Sequence, residues 1–454
     1  LSYWMADKNV VSDSNVISTK RKADDTVNVN AKKQKLKQTA PIQWPYNIGH
    51  VQALHDYTNP KPIPTTPIST SEHKTPPRRE IAKQSTEKPK KLNPHRYIRK
   101  RDKNKAKTAN GSQTPSYVDW DSDASIFDLA PEISALCKRK RRLSCDVPNT
   151  QRTEYKAHEK GVNRIKWSRG EGQLLASCSM DATASIWSPF SSTKRVVHLT
   201  CHEAAVKDLG WSHDNRHLFT ASYDKTVKYT DVETATVVQS FKHKQFITCL
   251  QPHPTQTDLF IAGGAKSGIV CWDLRSHSVA VEYKSVMGQV QSMEFIDNGN
   301  AFVSSSDVTR RNCVDKAVRV FDFNTGSILS NQVYLEAFTC TRVRAHPTEK
   351  QFLMQSNGNY IAIFSSTKYK LNKYKRYQAH NVSGYPIGFD ISPDGTLVVS
   401  GCTHGNLVFY DYVTSRVLRK FKAHKRPCID VAFHPIVPSL VASCDWAGGI
   451  TLWQ

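Results

Sequence analysis

Seven strand-like stretches recur at nearly even intervals through the last two-thirds of this chain, and that regularity restricts the fold more than composition does. They are LLASCSMDATASIWS (174–188), LFTASYDKTVKYTD (218–231), LFIAGGAKSGIVCWD (259–273), AVRVFD (317–322), FLMQSNGNYIAIFS (352–365), LVVSGCTHGNLVFYD (397–411) and LVASCDWAGGITLWQ (440–454). A marker position, His in most copies, precedes each: His158, His202, His243, Val286, Glu336, His380 and His424. Successive markers lie 44, 41, 43, 50, 44 and 44 residues apart. A unit of that length makes a four-stranded sheet, which cannot bury both of its faces alone. Arranged radially, seven such sheets bury one another's faces and leave only short edges. The expected fold is all-β, a seven-bladed β-propeller.

A repeat of this length with His early and Trp-Asp late resembles the WD repeat. The resemblance implies a buried polar chain in each blade: the early His, a Ser or Thr, an Asp in a tight turn and a Trp. Only the first unit matches in full, with His158, Ser177, Asp181 and Trp187. The second keeps His202, Thr220 and Asp224 but has Thr230 at the Trp place. Elsewhere the Asp place holds Lys266, Gly358, His404 or Ala447, so those blades are expected to be held mainly by apolar packing. The chain ends on Leu452-Trp453-Gln454, an inner strand of the last unit with no outer strand after it. The segment from about Asn149 to Lys156 is therefore predicted to supply that strand and close the ring.

The interval of 50 residues reads as an insertion, Val308 to Val314, in a turn on the same face as the tetrad Asp places. That puts Arg310 and Arg311 on this face, where repeat insertions often form a binding surface; a neutral surface loop is the competing reading. The residues just before the seven Asp places are Met180, Tyr223, Ala265, Val314, Asn357, Thr403 and Trp446. Large side chains in solvent-facing turns suit a partner, because Trp and Tyr dominate interface hot spots. Met180, Tyr223, Arg310, Arg311 and above all Trp446 are the candidate partner face; Trp446 folded over its neighbouring blade is the alternative.

The region before the repeats differs in kind. Residues 1–150 hold 28 basic and 15 acidic residues and 13 of the 22 prolines, but only Gly49 and Gly111 of the 20 glycines. Mixtures such as TNPKPIPTTPISTSEHKTPPRRE (58–80) cannot bury enough apolar surface to offset ordering entropy. Residues 1–148 are read as a long, mostly disordered basic N-terminal arm, and 149–454 as the propeller. Within the arm, 116–135 interleaves Asp119, Asp121, Asp123 and Asp128 with Trp120, Phe127 and Leu129, the pattern of a segment that orders on a partner; a chance cluster is the equal alternative. Lys20-Arg21, ten residues, then Lys32-Lys33-Gln34-Lys35 has the spacing of a two-part nuclear import signal carried by Lys20, Arg21, Lys32, Lys33 and Lys35. A second basic run, Lys138 to Arg142, precedes Ser144 and reads as a further import signal or a basophilic kinase target. RYIRKRDKNKAK (96–107) suits RNA phosphates with Tyr97 stacking on a base, and equally an acidic protein.

Catalysis has little support, since no Gly-rich phosphate loop, HExxH or nucleophile elbow is present. The His residues fall at tetrad places or in the His-Pro turns 253–254, 346–347 and 434–435, which read as structural. The 11 cysteines include no CxxC pair and read as buried free thiols, with no metal site. No apolar run approaches the length of a membrane span, and no leader pattern opens the chain. No cofactor and no small-molecule substrate are expected.

Several stretches resemble the WD-repeat family of the cell-division-cycle 40 type, the second-step pre-mRNA splicing factors, and a paralogous branch of it. They include SCSMD (177–181), ASYDKTVK (221–228), IVCWDLRS (269–276), FVSSSD (302–307), KLNKYK (370–375), AHNVSGY (379–385) and FKAHKRPCI (421–429), with QSNGNY (355–360) and HPIVPSLVASCDWAGG (434–449) marking the paralogous branch. The resemblance implies a non-enzymatic nuclear scaffold whose partners are proteins of a larger ribonucleoprotein assembly; the chain is expected to be monomeric within it, and contact with RNA is an option that the basic residues of the arm, not the resemblance, leave open. A second reading comes from Trp272-Asp273-Leu274-Arg275, which resembles the adaptor contact of cullin-4 ubiquitin-ligase receptors; Trp272, Asp273 and Arg275 would carry it.

Overall fold

The structure is a computed structural model and describes residues 127–138, 144–191, 195–265, 268–283, 288–307, 317–331, 333–334, 336 and 338–454. The import-signal residues Lys20, Arg21, Lys32, Lys33 and Lys35, the run 96–107, and Arg310 and Arg311 lie outside the described residues.

The described residues form seven four-stranded antiparallel sheets. Blades 1 to 6 span residues 162–199, 206–242, 247–283, 290–330, 340–377 and 389–422, each in simple up-and-down order. Blade 7 takes three strands from residues 428–453 and its outermost strand, Gln151–Lys156, from the front of the propeller. There Glu154 faces Thr451 and Tyr155 faces Ile450, while the Asn149 and Thr150 N–H groups both donate to Gln454 O. The ring closes as the repeat offset requires. The innermost strands of neighbouring blades touch all the way round, blade 7 against blade 1.

Each seam between blades holds its own apolar cluster. Strand alternation explains this, because successive side chains point to opposite faces. Leu397 and Val399 of blade 6 pack toward blade 7 with Val431, Phe433 and Trp453, whereas Val398 between them packs toward blade 5 with Leu353 and Ile361. Both faces of the inner strands are therefore dry: Leu175–Ser179 is buried throughout. Each Leu, Val or Phe so buried contributes roughly 1.5–3 kcal/mol.

The chain just before the propeller is folded onto it. A short helix, Pro131–Cys137, sets Ile133 fully into the seam between blades 7 and 1, and Phe127 packs against the seam between blades 1 and 2. Cys145 is buried at the seam between blades 6 and 7, its N–H donating to Asp394 Oδ2 at 2.8 Å. The Asp146 N–H donates to Ser439 Oγ at 2.9 Å. Residues 127–137 are thus ordered against the propeller, a correction to the reading of 1–148 as mostly disordered; Asp119, Trp120, Asp121 and Asp123 of the acidic-aromatic segment lie outside the described residues. Eight of the ten described cysteines are buried, all ten free.

Candidate functional site

The turn between the second and third strands of every blade carries one repeated backbone bond. Met180, Tyr223, Ala265, Asp307, Asn357, Thr403 and Trp446 donate their N–H groups to Gly161, Ala205, Phe246, Gln289, Thr339, Asn381 and Pro427 O respectively, at 2.8–3.1 Å. The acceptors lie in the loops entering each blade, so seven turns and seven loops share one face. Six of the turn residues are those expected from the repeat. The fourth is a correction: Asp307 occupies the place assigned to Val314, because the added residues follow the turn's first position instead of preceding it. Val314 lies outside the described residues.

The tetrad of blade 1 is assembled as expected. His158 Nε2 lies 2.8 Å from Ser177 Oγ, which also accepts the Trp187 indole N–H at 2.9 Å, and His158 Nδ1 lies 3.2 Å from Asp181 Oδ2. Burial alone would raise the Asp181 carboxyl, but hydrogen bonds from His158 and Thr183 outweigh it and hold the group well below the usual carboxylate range. Blade 2 repeats the His202, Thr220 and Asp224 part, with Thr230 Oγ1 at the Trp place unpartnered among the described residues.

Beside the apolar packing expected to hold them, blades 5, 6 and 7 carry polar links of the tetrad kind. In blade 7, Ser443 Oγ accepts the Trp453 indole N–H at 2.9 Å and lies 2.7 Å from His424 Nε2. Asp445, two places before Ala447, stands 3.7 Å from His424 Nδ1 and accepts the Ala447 and Gly449 N–H groups. Blade 6 pairs His380 Nδ1 with the Tyr410 hydroxyl at 2.6 Å and borrows Gln355 of blade 5 for Nε2 at 2.7 Å. Blade 5 replaces His by Glu336, which accepts from Tyr360 OH and Arg376. The same chemistry is thus rebuilt from different residues.

A feature the sequence reading missed lies on the axis. In six blades the pairing of the innermost strand slips at the same point, as between Val162 and Arg164, Val206 and Asp208, or Cys428 and Asp430. Such a bulge re-aims the side chain after it. Arg164 Nε stands 3.2 Å from Asp208 Oδ1 and 3.8 Å from Asp430 Oδ2, and Arg342 Nη2 stands 3.1 Å from Asp430 Oδ1. A second layer joins Arg344 to Glu294 and Asp390 at 3.5 and 3.4 Å. Gly388 makes room for this, since a methyl group there would overlap Asp430 Oδ1. Burial pushes Lys166 down to about 8 against the pull of Asp208. The available signal was charge at alternate positions of NRIKW and TRVRA, which reads just as well as a solvent-facing strand.

On the turn face, Trp446 is half-buried. Its ring meets Tyr385 edge-to-face at 5.5 Å and lies over Gly161 of blade 1. Trp446 thus folds onto its neighbours, as the alternative reading had it, with part of its surface left exposed. Tyr223 is half-buried beside Phe246, with Lys207 Nζ 5.8 Å above its ring. Arg275 points elsewhere. It lies in the turn between the third and fourth strands of blade 3, on the opposite face. Its guanidinium is 75% exposed yet pinned 3.3 Å from Asp258 and 3.6 Å from Asp273. The Trp272 indole N–H has no hydrogen-bond partner among the described residues, because Ala262 stands at the Ser place of that blade.

Seven radial sheets with these turns and tetrads define a WD-repeat β-propeller protein. The WD domain, G-beta repeat family model matches residues 149–188 and 193–231, the first two repeats. The chain is similar to WD repeat-containing protein 25 of Mus musculus, 33% identical over 311 residues covering 68% of this chain and 58% of that protein. It is 32% identical over 313 residues to Pre-mRNA-processing factor 17 of Homo sapiens, covering 68% of this chain and 53% of that protein. The Saccharomyces cerevisiae Pre-mRNA-processing factor 17 is 27% identical over 319 residues, 69% of each chain. The chain thus spans little more than half the length of its mammalian relatives.

Proposed function

We propose that the protein is a non-enzymatic nuclear scaffold of pre-mRNA processing, monomeric within a larger ribonucleoprotein complex. The observation that carries this is the similarity to Pre-mRNA-processing factor 17, at 32% identity over 313 residues and 68% of the chain. The import spacing of Lys20, Arg21, Lys32, Lys33 and Lys35 supplies the route to the nucleus, and the turn face around Trp446 and Tyr223 supplies the docking surface. Proximity labelling with the full chain in cells tests the proposal. Splicing proteins should be among the labelled neighbours, and Trp446→Ala should deplete a subset of them. A neighbour list without splicing proteins or RNA would sink the reading.

A second reading keeps one specific support, the exposed Arg275 beside Asp273 on the opposite face. There the protein would be a substrate receptor of a cullin-4 type ligase. Arg275→Ala should then abolish recovery of the ligase adaptor; unchanged recovery removes the idea.

A further inference from the structure

One arc of the turn face joins two aromatic rings to three exposed cations. Trp446 from blade 7 and Tyr385 from the loop entering blade 6 meet at 5.5 Å, and both pack partly on the cluster between blades 7 and 1. Gly161 lets Trp446 approach blade 1 closely, since a methyl group there would come 3.0 Å from its carbonyl oxygen and 3.3 Å from its Cδ2. The residue before Gly161 is Lys160. The residues before Pro427, whose carbonyl accepts the Trp446 N–H, are Lys425 and Arg426. All three cations are exposed, and none of their side chains has a hydrogen-bond or ion-pair partner among the described residues. Those two loops and the Trp446 turn set one exposed carboxylate, Glu159, against them. Asp445 is turned inward onto its own backbone and toward His424. On the far arc Lys244 is paired with Glu282 at 3.3 Å, Asp307 is held by Gln291, and Lys207 lies over the Tyr223 ring.

We infer that this arc, Lys160, Tyr385, Lys425, Arg426 and Trp446, binds single-stranded RNA. The inference rests on the RNA-processing reading and names the ligand class of the same face. Aromatic rings beside unpaired cations are the arrangement that single strands use: bases stack on the rings while phosphates exchange their counterions for Lys and Arg. An acidic peptide would engage the cations but leave the two rings without a matching surface. Contact with RNA is therefore made by the folded propeller and not by the basic arm alone.

The test uses the full chain and a fluorescein-labelled oligouridylate of about twelve nucleotides, within the usual range of single-strand site sizes. Ultraviolet cross-linking should give peptides containing Tyr385 or Trp446. Trp446→Ala should weaken binding roughly tenfold, the loss expected for one stacked base. Lys425→Gln with Arg426→Gln should flatten the plot of log affinity against log salt by about 1.4, two single-strand phosphate contacts. Those two residues are exposed, so this variant keeps its melting temperature and reports on binding even if Trp446→Ala disturbs the blade. Cross-links confined to residues 1–126, or a salt slope unchanged in the double variant, overturn the inference and leave the scaffold reading standing. Displacement of the RNA by polyglutamate at equal charge concentration, with Trp446→Ala binding normally, overturns it in favour of an acidic protein. Loss of splicing neighbours in cells with RNA binding intact removes the scaffold reading alone.

Discussion

Ser177 Oγ accepts the Trp187 indole N–H and lies 2.8 Å from His158 Nε2, so one buried hydroxyl satisfies two ring nitrogens. Ser177→Ala strands both. A buried polar group left unsatisfied costs about 1–3 kcal/mol, so the variant should lose roughly 2–4 kcal/mol, read as a lower urea midpoint at unchanged slope. Blade 3 offers the converse. Ala262 faces Val270, two residues before Trp272, as Ser177 faces Ser185 before Trp187. Ala262→Ser therefore places a hydroxyl under the orphaned indole and should raise stability by about 1 kcal/mol; no gain would mean that the indole is satisfied in some other way. Residue by residue, the sequence was legible where a motif keeps both type and spacing. It was not legible where the role is kept and the residue moves. Asp445 sits two places before the expected Ala447, and Tyr410 stands in for Trp. The axial charges failed for another reason. Alternating Arg and Ile on a strand describes a solvated face or a filled axis equally well, and only the bulge before Arg164 decides between them.

Three interblade joints share one element. His253, His346 and His434 each precede a proline, accept a backbone N–H at Nδ1, and donate Nε2–H to Gly299, Gly395 and Gly172 of the next blade at 3.2, 3.2 and 3.0 Å. Those glycines have positive φ, and a methyl group on any of them would press into the imidazole. The sequence reading took the His-Pro turns as structural, and the joint supplies the reason. Burial lowers all three imidazoles, His434 to about 3 and, on the tetrad face, His380 to about 4. A His whose folded value lies below its unfolded value of about 6.5 binds more protons when unfolded. Its contribution to stability is complete above about pH 6.5 and fades as the pH falls toward the folded value. The urea midpoint should therefore drop between about pH 7 and pH 5, before carboxylates with pKa near or below about 4 contribute much. His434→Gln should flatten that slope by at most about 1.4 kcal/mol per pH unit, one proton. An equal slope in the variant would place the pH sensitivity in the other histidines.

At the scale of the whole molecule, the ring depends on a strand that comes from the wrong end of the chain. The offset of the repeats made this legible, since a unit ending on an inner strand must borrow its outer one. The preceding strap was less legible, because it is aperiodic apart from Phe127, Ala130, Ile133 and Leu136 at every third place. These pack against the seams between blades 1 and 2 and between blades 7 and 1. Closure should then be separable from the strap. A chain beginning at residue 149 retains the outer strand Gln151–Lys156 but loses Ile133 and Cys145 from their seams. It should still melt in one transition, weakened by a few kcal/mol, the sum of two or three buried apolar side chains. A chain beginning at residue 157 loses the partner of residues 449–453 and bares an edge next to Ile450 and Leu452. Unpaired strands of that kind invite association with other chains, so this chain should aggregate or unfold below the temperature of the first. Adding a peptide of residues 149–157 should restore the single transition, with a midpoint that rises with peptide concentration as binding to the folded state requires. If the chain from residue 157 melts like the chain from 149, the ring is held by its seams and the borrowed strand is dispensable.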